Sequence, residues 1–314
     1  MSTVNASGGA SSQLAFNREM NFEYGVAQQL VPGVRRVVAN NPSPFTFKGT
    51  NTYIVGRGEV AVIDPGPEDQ AHLDALMAAL KGEQVTHILI THTHLDHTGN
   101  VAALKELTGA RICSYGPVSG KRGVRTSSPS GEAFVDKALV PDQKLAQGDT
   151  VRGEGWSLEA LHTPGHAPDH LCFAYVGRRT VFSGDHVMGW NTTVVAPPEG
   201  RMGDYITSLE LLLNRNDKVF FPGHGGRIEL PQRVVRAYLM HRRWREQAVL
   251  SCLEDGMTFI PQIVSRIYEG LHPSLAGAAA LSVLAHLEYL AQRGLVVAST
   301  SPPAIETAFS LPRP

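Results

Sequence analysis

The run ILITHTHLDHTGN spans residues 88–100, and within it His92, His94, Asp96 and His97 follow an apolar segment inside six positions. Four side chains able to bind a metal ion therefore leave one predicted strand end together. In an extended chain residues two apart point the same way, so His92 and His94 can grip one ion. Asp96 and His97 stand a turn further on, where a helix is predicted to begin, and face elsewhere. One ion cannot readily use all four, so the spacing suggests two adjacent ions. A purely structural reading, with hydrogen-bonded histidines and Asp96 capping a helix over 98–107, accounts for one residue of the four.

Two ions require further ligands, and three downstream segments offer them. HTPGHAPDH supplies His166, VFSGDHVMG supplies Asp185, and FFPGHG supplies His224. Each stands on a turn with Pro or Gly immediately after an apolar run, and strands running into one edge bring such loops together. His92, His94 and His166 can hold one ion and Asp96, His97 and His224 the other, with the Asp185 carboxylate bridging both. Imidazole and carboxylate donors suit zinc, while iron or manganese would also accept them. A hydroxide bridging two ions would be a nucleophile at neutral pH, for attack on a carbonyl carbon or a phosphorus. Asp96 is the candidate for orienting that water or relaying its proton. No separate acid for the leaving group is identifiable.

The elements that must position these residues are legible from periodicity. VRRVV, TNTYIVG and EVAVID read as antiparallel strands. DQAHLDALMAAL has helical spacing and leads into the strand THILI, and VAALKELTG reads as a helix ending at Gly109. WSLEALHT, HLCFAYV and RTVFSGD read as strands, SLELLLNR as a helix, and KVFFPGHG as a last strand and loop. Two strand-rich halves, each covered by helices, fit an α+β chain folded as a four-layer αββα sandwich. The segment from Ser114 to Gln147, around Lys121, lacks periodicity and reads either as a substrate-side loop or as a disordered insertion.

Beyond Glu229 the pattern turns helical. Pro231 suits the start of a helix running to Asp255, Thr258 caps a second through Tyr268, and a third closes at Gly294 before the short strand LVVAS. This is a small winged-helix-like unit. The expected boundaries are a flexible tail over 1–22, a catalytic domain over 23–229, the helical unit over 230–300 and a Pro-rich tail over 301–314.

At 314 residues and 42% hydrophobic content the chain can build a real core, and its formal charge of −1 provides no global field for polyanions. Cys113, Cys172 and Cys252 lack metal-ligand spacing and are odd in number, which argues against a disulfide framework. The opening residues read as no secretory signal and no segment reads as a membrane span, so a cytoplasmic protein is expected.

VIDPG with Asp64, THTHLDH, His166, Asp185 and His224 together resemble the metallo-β-lactamase superfamily over about residues 31–229. The resemblance implies that Asp64 supports the ligand loop by hydrogen bonding rather than binding metal. NNPSPFTFKGTNTYIVG, SGDHVMGWNTTVV and HRRWREQ resemble, more narrowly, the β-lactamase-like protein 2 branch, which includes an endoribonuclease. Candidate substrates are thus single-stranded RNA or a small ester- or amide-type molecule such as a thioester, lactone or β-lactam; the sequence assigns no oligomeric state. Asp185 stands where a large class of β-lactamases has a cysteine ligand. Iron-dependent redox relatives, sulfur dioxygenases among them, give an alternative; the reductases resemble HxExDH, and here the second position is His94. A non-catalytic binding protein is disfavoured because all seven ligand positions are filled.

His162, His170 and His186 read as structural, and Asp169 as support for a ligand loop. Arg233, Arg236, Arg242, Arg243 and Arg245, with His241 and Trp244, form either an RNA-contacting face or an ordinary solvated helix.

Overall fold

A computed structural model describes residues 16–116, 118 and 135–313. Strands β1 (Gln28–Val31), β2 (Val34–Val38), β3 (Asn51–Arg57) and β4 (Glu59–Ile63) form an antiparallel meander built from β-branched runs joined by tight turns. Helix α1 (Gln70–Ala79) then carries the chain over to β5 (Gln84–Leu89), which lies parallel to β4. A parallel pair needs such a crossover. Helices α2 (Leu95–Thr98) and α3 (Val101–Thr108) lead to β6 (Arg111–Ser114), and β7 (Gln143–Lys144) completes a seven-stranded sheet in sequential order.

The second sheet holds β8 (Thr150–Gly153), β9 (Trp156–His162), β10 (Leu171–Tyr175), β11 (Thr180–Gly184) and β12 (Val219–Pro222) in the order 12-11-10-9-8. Helix α4 (Met202–Leu213) is the crossover that makes β12 parallel to β11. Because side chains alternate along a strand, each sheet has two apolar faces to cover. Tyr53, Ile63, Leu89, Phe173, Phe182 and Phe221 fill the space between the sheets. Ile54, Val62 and Ile88 face outward onto Leu73, Leu76 and Leu104 of α1 and α3. Cys172 and Phe220 face Tyr205 and Leu209 of α4 on the other side. The result is the four-layer α+β sandwich expected. All three cysteines are buried and unpaired.

Helix α5 (Pro231–Glu254), with Pro231 at its first position, extends from the sandwich into a unit with α6 (Ile260–Ile267), α7 (Ala276–Gln292), β13 (Val297–Ala298) and β14 (Phe309–Ser310). Thr258 does not cap α6. Instead the Gln262 side chain accepts from the backbone N–H groups of Thr258 and Phe259, so the cap comes from within the helix. Pro273–Gln292 is long and apolar enough to cross a membrane by length and composition, contrary to the expectation that no segment is. In the fold its Val283, Leu284, Leu287 and Leu290 are packed into the core of the helical unit.

Both expected tails are corrected where they are described. Residues 1–15 lie outside the described residues, but Met20 is buried, Phe16 packs against the α4 side of the sandwich, and Asn17 N–H donates to Gly189 O. The expected tail at 301–314 contains β14, which pairs with β13 and buries Phe309. Phe309 anchors it despite the prolines before it, with Ile305 and Leu311 packed against the same core. Half of the Ser114–Gln147 segment also lies outside the described residues; at its return, Asp136 N–H donates to Thr93 O beside the ligand cluster.

Replacing Phe309 by alanine should cost about 3–5 kcal/mol, the usual range for a buried phenylalanine, read as a lower denaturant midpoint. An unchanged midpoint would show that residue 309 is not part of the core.

Candidate metal centre

The cluster forms where strand ends converge. β4 and β5 are parallel, so Asp64 and the His92–His97 segment emerge at one edge of the first sheet. β9, β11 and β12 run the same way in the second sheet, and their ends carry His166, Asp185 and His224. Hydrogen bonds stitch the two edges together. Leu171 N–H donates to Thr91 O at 2.7 Å, Asn51 N–H to Gly223 O at 2.8 Å, and the Asn51 side-chain amide to Pro222 O at 2.8 Å and Gly225 O at 2.9 Å.

All seven predicted ligand residues meet at this seam. His92 Nε2 lies 2.9 Å and His166 Nε2 3.1 Å from His94 Nδ1. Asp96 Oδ2 lies 3.2 Å from His224 Nε2 and 3.5 Å from His97 Nε2. Asp185 stands between the groups, with Oδ2 3.3 Å from His224 Nε2 and 3.8 Å from His166 Nε2, and Oδ1 3.6 Å from His97 Nε2. Neighbouring donors around a tetrahedral ion with bonds of about 2.0 Å are separated by about 3.3 Å. His92 with His94 and His166, and Asp96 with His97 and His224, are each groups that could hold an ion. His97 Nε2 and Asp185 Oδ1 are buried and lack any hydrogen-bond partner.

Each imidazole is turned by a partner on its outer nitrogen. His97 Nδ1 donates to Asp64 Oδ2 at 2.9 Å, His166 Nδ1 to Val194 O at 2.7 Å, and His224 Nδ1 to Gly49 O at 3.3 Å. His92 Nδ1 is 3.0 Å from Thr91 Oγ1, which itself donates to Asp64 Oδ2 at 2.7 Å. His94 differs, presenting Nδ1 to the centre while its Nε2 faces Glu199 Oε2 at 3.8 Å. In the His92, His94 and His166 group, hydrogens on the outside leave the inner nitrogens converging as lone pairs, a repulsive arrangement that a cation relieves.

Electrostatics separate the two groups. Burial, then the neighbouring His97 and His94, hold His92 well below its ordinary pKa; burial and His94 bring His166 down to about 4. Both stay neutral near pH 7, the state that can ligate. Burial would also depress His97 and His224, but the carboxylates of Asp96 and Asp185 outweigh it, raising His97 well above its ordinary value and His224 to about 9. Burial would raise Asp96 and Asp185, yet His97 and His224 keep both below the carboxylate range. In the second group, protons compensate the carboxylates as a bound cation would.

Asp64 bonds the segment that carries His92 and His97: beyond its contacts to Thr91 Oγ1 and His97, its Oδ1 accepts Thr91 N–H at 2.8 Å. Asp169 likewise accepts Thr93 N–H at 3.0 Å. His170 is a support, its Nε2 accepting Asp185 N–H at 3.1 Å and its Nδ1 facing Thr163 Oγ1 at 2.9 Å. His186 packs on Tyr205, and His162 stacks on Tyr115. Asp96 lies in the first turn of α2 and does not cap it. Sequence reasoning missed Thr91, Glu199 and two glycines. A Cβ on Gly223 would stand 2.5 Å from Asp185 Oδ1, and one on Gly184, whose φ is +48°, 2.6 Å from His170 Nε2. The glycines were visible in SGDH and PGHG as turn formers, but the close approach was not.

A sandwich with this cluster at its seam defines a class. The chain belongs to the metallo-β-lactamase superfamily, whose family model matches residues 45–224. A second model, the beta-lactamase associated winged helix domain, matches residues 260–303. The chain is 34% identical over 283 residues to the beta-lactamase-like protein 2 homolog of Drosophila melanogaster, covering 87% of this chain and 92% of that protein. It is 36% identical over 235 residues to an atrochrysone carboxyl ACP thioesterase of Aspergillus fumigatus, covering 72% of this chain and 66% of that protein. In fold it is similar to a beta-lactamase domain protein from Burkholderia ambifaria, with a TM-score of 0.77, 21% identity, and coverage of 97% of this chain and 99% of the other.

Asp64→Asn keeps a residue that tolerates the φ of +51° at this position, but it loses the anionic acceptor shared by Thr91 and His97. Zinc affinity measured against a competing chelator should fall about 10–100-fold. Wild-type affinity in this variant would remove Asp64 from any orienting role.

Proposed function

We propose that this chain is a dinuclear metal-dependent hydrolase, and that activated acyl compounds, thioesters first among them, are its substrates. The observation that carries the hydrolase reading is the pair of donor groups with Asp185 between them, and with His97 Nε2 and Asp185 Oδ1 buried and without a hydrogen-bond partner. Two divalent ions, with zinc the first choice for these donors, would supply an acidified water at neutral pH and stabilise negative charge on the attacked group. His92, His94 and His166 would hold one, Asp96, His97 and His224 the other, and Asp185 both.

The protein's own part is positional and protonic. The Asp96 side chain is 26% exposed, against 10% for Asp185, and its Oδ2 faces His97 and His224. Its other oxygen is the site proposed to orient the attacking water and receive its proton. The buried histidines, fixed from outside, keep the donors in place without reorganisation as charge develops.

The rim supports an uncharged acyl substrate. Asp96 and Glu199 put accessible carboxylates beside His94, a poor surface for a polyanion, and Leu95 and Val135 add apolar surface next to it. Thioester chemistry is also what the Aspergillus fumigatus relative's name states for that protein. The second reading, RNA cleavage, draws on an exposed stripe of Arg233, Arg236 and Arg243 along α5, although Arg242 is buried and Arg245 lies over the Tyr268 ring.

Zinc-loaded protein should hydrolyse an acyl thioester, with the activity removed by a chelator and restored by zinc. Asp185→Ala and His94→Ala should each lower the rate at least about 100-fold, since preorganised stabilisation of charge is lost. Cleavage of single-stranded RNA without thioester hydrolysis would replace the substrate, and iron-dependent oxygen uptake would replace the reaction class. Activity surviving both substitutions would place the chemistry elsewhere.

A further inference from the structure

Helix α5 falls between the two segments that family models match, 45–224 and 260–303. Its sequence offers a row of arginines, and the structure divides them. Arg242 is only 3% exposed, and its Nη2 donates to the backbone carbonyl of Thr193. Its guanidinium also lies 5.1 Å from the centre of the Tyr205 ring. One turn earlier on the same helix, the buried Tyr238 hydroxyl accepts Met188 N–H at 3.2 Å and is in hydrogen-bond contact with the carbonyls of Met188 and Asn191. Both side chains grip residues 188–193, part of the loop that follows Asp185.

The inner side of that loop faces the candidate centre. Thr193 Oγ1 donates to Asp185 O at 2.8 Å and lies 3.2 Å from His186 O. The next carbonyl, Val194 O, takes the Nδ1 hydrogen of His166 at 2.7 Å. Further along, Glu199 places Oε2 3.8 Å from His94 Nε2. Successive carbonyls thus carry an anchor from α5 and a ligand imidazole. Among the described residues Arg242 has no carboxylate in ion-pair range, and a buried cation without one is costly. An apolar side chain of similar size would serve packing alone at lower cost, so the guanidinium is best explained by the loop it holds.

We propose that α5 positions the His92, His94 and His166 group through the Asp185–Gly200 loop. Arg242 is the anchor, and Glu199 is the carboxylate that turns His94 so that Nδ1 points inward. Both are positioning residues, and the inference rests on the dinuclear reading above. The helix that joins the sandwich to the winged-helix segment is then a structural part of the metal site, and only its exposed arginines are available to a partner.

The test titrates zinc into metal-free wild type, Arg242→Met, Arg242→Lys, Tyr238→Phe and Glu199→Gln against a chromophoric chelator. Melting temperatures of the metal-free proteins and visible spectra of the cobalt(II)-loaded proteins are recorded alongside. The wild type should bind two ions. In Arg242→Met, Tyr238→Phe and Glu199→Gln one of the two should weaken about 10–100-fold, the range for loss of a partner behind a ligand. The cobalt spectrum should change with it, Arg242→Lys should retain more affinity than Arg242→Met, and the metal-free melting temperature of Glu199→Gln should match wild type. If Arg242→Met does not fold, Tyr238→Phe and Glu199→Gln decide, because one removes a hydroxyl, the other a negative charge, and each keeps the side chain's shape. Two ions in wild type with unchanged affinities in those two variants would overturn the positioning role alone. Fewer than two ions in wild type would overturn the dinuclear reading and this inference with it.

Discussion

The Asp64 carboxylate ties the end of β4 to the segment that follows β5, and both halves of the candidate centre depend on that tie. It accepts the N–H and hydroxyl of Thr91 and the Nδ1 hydrogen of His97. Through Thr91, whose hydroxyl also meets His92 Nδ1, it orients a donor of the first group, and directly it orients one of the second. Asp64 holds this place with a φ of +51°. Aspartate is among the few residues with a side chain that tolerate such a backbone, and three hydrogen bonds to its carboxylate hold it there.

The second constraint is space. Two sheets must bring their strand ends within reach of a few ångströms, and bulky residues at the turns would hold them apart. Gly223 allows Asp185 and His97 to approach the end of β12, and Gly184 allows His170 to sit against the turn that presents Asp185. Asn51 then fixes the loop around His224 by bonding both flanking carbonyls. Around the two donor groups lies a layer of supports drawn from every part of the chain, from Gly49 to Arg242.

Much of this was legible in the sequence because ligand chemistry restricts residue type and strand ends restrict position. His92, His94, His166, Asp185 and His224 each follow an apolar run, and the αββα layers follow from alternation and helical periodicity. The rest required tertiary contacts. Glu199 lies in a loop without periodicity, and nothing local connects it to His94. Thr91 looked like the end of a strand, although its hydroxyl links Asp64 to His92. Arg242 read with four other arginines as one face, solvated or RNA-contacting, because nothing local separates it from them. Phe309 was hidden behind prolines that suggested a tail, since one buried aromatic leaves no pattern.

We propose that these seven side chains form one centre for two ions. The most direct measurement is a crystal structure of the zinc-loaded protein with anomalous data collected on both sides of the zinc edge. Two peaks about 3.5–4 Å apart are expected, one among His92, His94 and His166 and the other among Asp96, His97 and His224, with Asp185 touching both. A single peak, or a second one outside these residues, would contradict it.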